Sequence, residues 1–333
     1  MGHHPLTDVN PSRPVVLLTP GDPNGVGPEC LIKAWERIAA GCRPVVCGGE
    51  AALRAAARLL NSPVEPYSLY NLADAAPTTR RIPVLVLNHT DLEPDWGTIS
   101  ARAGRASFCW VRAAVELCLA RVADALVTGP INKEAWLAAG VPYAGHTAFL
   151  AESCGRAGSE VMAFASPQLN VALATTHIPL VDIPRRLTPQ RIVHTARLLA
   201  DWLARRLEHP PRLALCGLNP HAGDGGVIGR EDAEIVLPAA VELRSLGIDI
   251  TGPRAADTLF TARARRRYDG VVALYHDQGL IPVKTLDFTH AVNVTLGLPF
   301  PRTSPSHGTA FDIAGKGVAD ETSLLEAVGV IIY

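Results

Sequence analysis

Three histidines each stand just past the end of a short apolar run. Val171-Ala172-Leu173-Ala174 leads into Thr175-Thr176-His177, Leu213-Ala214-Leu215-Cys216 into Leu218-Asn219-Pro220-His221, and Val271-Val272-Ala273-Leu274-Tyr275 into His276-Asp277-Gln278-Gly279. A neutral imidazole is a common ligand of divalent metals, and three of them leave coordination positions open for a substrate oxygen. A single histidine after a strand is more often a hydrogen-bonded structural residue. If the three runs are strands of one parallel sheet, however, their carboxyl ends share one edge and the imidazoles can converge. That edge is where open α/β sheets place ligand sites.

Other polar residues follow in the same part of the chain. Lys284 comes after His276, Asn293 lies inside the strand-like run 291–296, and Arg302 precedes the glycine-bearing stretch Ser306-His307-Gly308-Thr309-Ala310-Phe311-Asp312-Ile313-Ala314-Gly315-Lys316-Gly317. Earlier, Gly145-His146-Thr147 precedes Phe149-Leu150-Ala151-Glu152 and reads as a helix start. Its free N–H groups, hydroxyl and imidazole can together meet an anion, or Thr147 can simply cap the helix. Asp257 reads as the cap of a further short helix.

Positioning these residues requires an alternation of strands and helices, and the chain supplies it from the start. Val15-Val16-Leu17-Leu18 is a strand, the turn 19–29 leads into a helix from about Cys30 to Ala40, and Pro44-Val45-Val46-Cys47 is a second strand before an alanine-rich helix, 50–60. This is a βαβ pattern. The turn Thr19-Pro20-Gly21-Asp22-Pro23-Asn24-Gly25-Val26-Gly27-Pro28-Glu29 is glycine-rich, but Asp22 and Glu29 disfavour a phosphate, so it reads as structural. Residues 63–98 form a proline-rich excursion with one strand at 83–87. Over 100–123, Phe108, Val111, Val115, Leu119 and Val122 recur at helical spacing. Ala125-Leu126-Val127-Thr128 is another strand, 160–165 and 170–174 form an antiparallel hairpin, and helices are expected over 188–207, capped by Thr188, and over 230–246.

At 333 residues, two domains are the better prior, and 48% hydrophobic with 19% charged residues describes an ordinary soluble globular protein. The net charge is −1, and Arg263-Ala264-Arg265-Arg266-Arg267 reads as the solvated end of a helix, so no nucleic-acid surface is expected. Seven cysteines without a C-x-x-C pair point to reduced thiols and a cytoplasmic location. Residues 1–13, with His3 and His4, carry neither a signal peptide nor a metal tract, and no apolar run is long enough to span a membrane.

Taken together, the motifs resemble one family, the metal- and NAD-dependent 4-hydroxythreonine-4-phosphate dehydrogenases of pyridoxal phosphate biosynthesis. The matching segments run in the family's order: 19–29, Thr-Gly-Pro-Ile-Asn-Lys (128–133), Gly-His-Thr (145–147), Ala-Thr-Thr-His-Ile-Pro-Leu (174–180), Cys-Gly-Leu-Asn-Pro-His-Ala-Gly (216–223), Ala-Asp-Thr-Leu-Phe (256–260), Tyr-His-Asp-Gln-Gly (275–279) and Asn-Val-Thr-Leu-Gly-Leu-Pro-Phe-Pro-Arg-Thr-Ser (293–304). The resemblance implies a two-domain α/β/α fold with a mostly parallel sheet, like isocitrate and isopropylmalate dehydrogenases. It divides the chain into an NAD-associated domain, about 1–128 with 290–333, and a metal- and dimer-forming domain, about 129–289. The active site is then expected in the cleft between them and at the interface of a homodimer.

The resemblance implies metal ligands at His177, His221 and His276, and substrate contacts at His146, Thr147, Lys284, Asn293 and Arg302. It also implies an NAD-binding loop containing His307, Gly308, Thr309, Ala310 and Asp312. An aspartate at 312, where the adenosine ribose hydroxyls are met, repels a 2′-phosphate and favours NAD over NADP. Zinc fits three histidines best, with cobalt, manganese or magnesium able to serve. Lys284 is the candidate proton relay, and Asp257 and Asp277 can orient the ligand set. One departure stands out: Ser306 occupies the position before His307 where an acidic residue is expected. The implied substrate is 4-phosphohydroxy-L-threonine; relatives that act on phosphorylated four-carbon sugar acids or cis-diol carboxylates share the scaffold.

Overall fold

The computed structural model describes residues 13–87 and 90–332. The tail carrying His3 and His4 therefore lies outside the described residues. The chain forms two compact units, one containing the described residues up to Gly158 and from Leu298 onward, the other Ser159–Gly297.

The first unit begins β1 (Val15–Thr19), α1 (Gly27–Gly41), β2 (Arg43–Cys47), α2 (Glu50–Leu59), β3 (Glu65–Leu69) and β4 (Arg81–Leu85). It continues with α3 (Ala101–Leu119), β5 (Ala125–Thr128), α4 (Lys133–Ala138) and α5 (His146–Ser153). The second unit contains β6 (Val161–Ala165), β7 (Val171–Leu173), α6 (Ile183–Arg186), α7 (Pro189–Ala204), β8 (Leu213–Cys216), α8 (Leu237–Ser245) and β9 (Ile250–Arg254). It ends with α9 (Ala256–Leu259), α10 (Ala262–Arg265), β10 (Gly270–Ala273), α11 (His276–Asp287) and β11 (Val292–Leu296), after which β12 (Arg302–Pro305) and α12 (Thr322–Ile332) return to the first unit.

The strands of the first unit run in the order β3-β4-β2-β1-β5-β12, all parallel. Those of the second run β11-β6-β7-β10-β8-β9, with β7-β10-β8-β9 parallel and β11-β6-β7 antiparallel. The fold is thus mixed α/β and mostly parallel. Because strands of such sheets are covered on both faces, they read as unbroken apolar runs; Val16, Leu17 and Leu18, and likewise Val271, Val272 and Ala273, are all buried.

Several elements depart from the sequence reading for physical reasons. The proline-rich excursion holds two strands, and the missed one, β3, is the edge strand of its unit, where Pro66 costs no ladder bond. In α3, capped by Ser100 Oγ accepting from Ala103 N, the buried stripe includes Ala103, Ser107, Trp110, Val111, Ala114, Val115 and Cys118. Leu119 and Val122, expected on that face, are exposed, because the helix ends at Leu119. The helix expected over 230–246 opens as a π turn, Asp232–Val236, before α8. Pro238 in the first turn of α8 has no N–H to donate back, which disfavours a regular α turn there. Residues 129–158 lie in the first unit: Trp136 of α4 is fully buried in its core, and Trp136 Nε1 donates to Ser107 Oγ of α3 at 2.9 Å.

Candidate functional site

In the second unit, β7, β10 and β8 are parallel neighbours, so the three histidine-bearing turns leave the same sheet edge. Two side chains hold that edge together. Thr175 Oγ1 donates to Leu274 O at 2.7 Å. Gln278, in the first turn of α11, accepts from Leu274 N at 2.7 Å and donates to Gly217 O at 2.7 Å. Leu280 and Val283 pack α11 against Val171, Leu173, Val271 and Ala273, which puts His276, its first residue, at the carboxyl edge.

The His177 and His276 rings lie 5.4 Å apart, centroid to centroid, and line one cavity of about 170 Å³ with Thr175, Thr176, Tyr275 and Asp277. Asp277 Oδ1 sits 2.7 Å from His276 Nδ1, an arrangement that orients the ring and leaves Nε2 toward other partners. His221 does not line this cavity, and among the described residues no three His, Cys, Asp or Glu side chains gather where they could hold a metal. Full convergence of the imidazoles within one chain, expected from the strand ends, is therefore not what the fold provides.

His221 belongs to a run of left-handed backbone in which His221, Ala222, Gly223, Asp224 and Gly225 all have φ between 44° and 81°. Left-handed φ costs a non-glycine residue roughly 1–2 kcal/mol, so the surroundings must impose it. Asp232, buried, accepts from Leu218 N at 2.7 Å and from Asn219 N at 2.9 Å, and Asn219 Nδ2 donates to Glu231 Oε2 at 2.8 Å. Asp232 went unrecognised in the sequence; the acidic pair 231–232 after the glycine-rich turn was its only signal.

Lys284 is exposed two turns along α11 from His276 and Asp277, with Nζ 5.9 Å from the Phe288 ring centroid. Asn293, on β11, has an enclosed Oδ1 with no hydrogen-bond partner among the described residues. Asp257 is exposed in α9, and no side-chain hydrogen bond caps that helix, so the capping role expected for it is not realised.

The first unit holds Arg302, His146 and Thr147. Arg302, at the start of β12, is buried and donates to Thr128 Oγ1 at 2.6 Å across the sheet from β5. Burial pushes its pKa down to about 10, which still leaves the guanidinium charged at neutral pH. His146 opens α5 with its ring edge-on to Trp136 at 5.5 Å, and its Nε2 is enclosed without a hydrogen-bond partner. Burial, then the neighbouring Arg302 charge, holds its pKa well below the ordinary value, so it is neutral at pH 7. The N-cap of α5 is Gly145, without a side-chain cap bond, so Thr147 does not cap the helix.

A half-buried histidine kept neutral carries a stability consequence. Below pH 6.5 the unfolded chain binds a proton that folded His146 refuses, so stability falls as pH drops from 6.5 toward the depressed folded pKa. His146→Asn is expected to flatten that part of a Tm-against-pH curve. An unchanged slope between pH 6.5 and 5 would mean that His146 is not held neutral.

The stretch 306–317 is a turn-rich loop. His307 Nδ1 is 2.9 Å from Gly308 O, and its Nε2 is enclosed without a hydrogen-bond partner. Ala310 has φ 44°, and Asp312 is exposed. Ser306 N donates to Ser323 Oγ of α12 at 3.1 Å.

A family model described as pyridoxal phosphate biosynthetic protein PdxA matches residues 40–331. The chain belongs to this family. It is 40% identical over 331 residues to the 4-hydroxythreonine-4-phosphate dehydrogenase of Trichlorobacter lovleyi, covering 97% of this chain and 98% of that one. It is 43% identical over 318 residues to the D-threonate 4-phosphate dehydrogenase of Cupriavidus necator, covering 95% of each. A crystal structure of a 4-hydroxythreonine-4-phosphate dehydrogenase from Burkholderia phymatum superposes with a TM-score of 0.83 at 40% identity, over 96% of this chain and 98% of that one. No described helix of this PdxA-family chain is long and apolar enough to cross a membrane.

Proposed function

We propose that this chain oxidises 4-phosphohydroxy-L-threonine with NAD to the 3-keto acid, which loses CO2 to give 3-amino-2-oxopropyl phosphate for pyridoxal 5′-phosphate synthesis. The observation that carries this reading is the buried Arg302 beside a neutral His146 whose Nε2 has no hydrogen-bond partner among the described residues. A fixed cation and a neutral imidazole at a helix start suit a phosphate or carboxylate. Thr147 and Asn293 complete the substrate contacts.

His177 and His276, whose rings line one cavity, would serve as two donors to a divalent metal. His221 would be the third ligand. A divalent cation there, with zinc the best match to imidazole, supplies Lewis-acid polarisation of the substrate's secondary hydroxyl. Lys284 relays the hydroxyl proton, Asp277 orients His276, and Asp257 supports the His221 turn beside it. His307, Gly308, Thr309, Ala310 and Asp312 hold the nicotinamide cofactor.

Among the described residues His177 and His276 share a cavity that His221 does not line, which supports a homodimer in which a second copy supplies the third imidazole. Exposed apolar side chains close to each histidine in sequence support this: Leu180 and Val181 after His177, Val227 and Ile228 after His221, and Ile281 after His276. Such a rim suits a protein interface.

The deciding experiment measures NADH formation with 4-phosphohydroxy-L-threonine, D-threonate 4-phosphate and a cis-diol carboxylate. The first is expected to show the highest kcat/KM. D-threonate 4-phosphate is the second reading, favoured by the name of the Cupriavidus relative, and its dominance would overturn the first. With Asp312 opposing a 2′-phosphate, NAD is expected to exceed NADP by on the order of 10²-fold in kcat/KM. Equal efficiency would refute that role for Asp312.

A further inference from the structure

We propose that α1 clamps the cofactor loop and that Glu29 is its positioning residue, an inference resting on the assignment of residues 307–312 to the cofactor. The glycine-rich turn 19–29, read from sequence as a structural turn, lies against this loop. Val26 N, Glu29, Cys30 and Lys33 fall at spacings of three, four and seven residues, which place them along one side of a helix. Each reaches the loop: Val26 N donates to Thr309 O at 3.0 Å, and Gly315 N donates to Glu29 Oε1 at 2.6 Å. Cys30 Sγ is 3.7 Å from Asp320 O, and Lys33 Nζ donates to Gly317 O at 2.9 Å and to Ala319 O at 2.5 Å.

The loop has no strand or helix of its own between Pro305 and Thr322, so these bonds from α1, together with its internal turn bonds from Ile313 N and Ala314 N to Ala310 O, hold its conformation. A Cβ on Gly25 would sit 2.9 Å from Thr309 O, so glycine is needed for the approach, and Gly315 holds φ 77° against Trp96. Glu29 itself has no exposed surface, and its second oxygen, Oε2, lacks a hydrogen-bond partner among the described residues. A buried carboxylate with one open oxygen is costly, and among the described residues the bond to Gly315 N accounts for an acid at this place.

The test uses the full chain and three variants, read by hydrogen exchange of residues 309–320 and by the dissociation constant for NAD in titration calorimetry. Glu29→Ala is expected to speed exchange of this segment and weaken NAD at least tenfold. Glu29→Gln keeps the acceptor for Gly315 N, so it should retain protection and bind NAD within about threefold of wild type. Lys33→Met, at a partly exposed site, should weaken NAD about threefold and covers the case in which Glu29→Ala fails to fold. Exchange and affinity unchanged in both Glu29→Ala and Lys33→Met, or Glu29→Gln as damaging as Glu29→Ala, would overturn the clamp. Altered exchange in a protein that never binds NAD would instead bring down the cofactor assignment while leaving the clamp's geometry standing.

Discussion

Replacing His221 with alanine is expected to strip the protein of divalent metal and to lower turnover by at least about 10³-fold. Loss of an outer hydrogen-bond partner alone costs about 10–100-fold, and loss of a ligand costs more. Without His221 the pair His177 and His276, 5.4 Å apart, is left as a two-imidazole site. Fold stability should largely hold, because alanine at 221 leaves Asp232 bonded to Leu218 N and Asn219 N. Metal content by mass spectrometry and NADH formation check the result. A His221→Ala protein with one tightly bound metal per chain, or a wild type fully active after exhaustive chelation, would sink it. The same reasoning predicts that activity per chain falls on dilution in step with the dimer population, because a site built from two copies disappears when they separate. A monomer turning over at full rate would refute the shared site.

The second large effect is expected for Arg302→Met. Removing one partner of a buried charge-assisted contact costs roughly 2–5 kcal/mol, so kcat/KM for the phosphorylated substrate should fall by about 30-fold to about 5 × 10³-fold. Stability should move the other way. Burial lowers the Arg302 pKa to about 10, a sign that the charged group is held against its desolvation cost, and methionine removes that cost while filling similar volume. Tm should therefore be unchanged or raised. The His146 pKa should also rise, since the Arg302 charge is one of the two causes depressing it. Retained kcat/KM, or a variant that loses activity only because it unfolds, would remove Arg302 from the site.

Much of the chain was legible without coordinates where the signal is local. Apolar runs followed by glycine or polar residues marked most strands, Thr188 and the antiparallel pair β6–β7 fell where their residues suggested, and the histidines were correctly placed at one sheet edge. An edge strand interrupted by Pro66 gave too weak a run to recognise, and the apolar spacing of α3 continued past the point where the helix stops.

The amino-acid order alone determined the alternation of strands and helices, the charge balance and the identity of the chemical groups, because each depends on neighbours within a few residues. Tertiary structure decided how those groups meet. It joined His177 to His276 but left His221 apart, and it set Arg302 against Thr128, 174 residues away. It bonded Gln278 to Gly217 over 61 residues and Glu29 to Gly315 over 286. A hydrogen bond is indifferent to the length of chain between donor and acceptor, whereas hydrophobic periodicity reports only on the segment that carries it; partners chosen by strand order and burial leave no local trace.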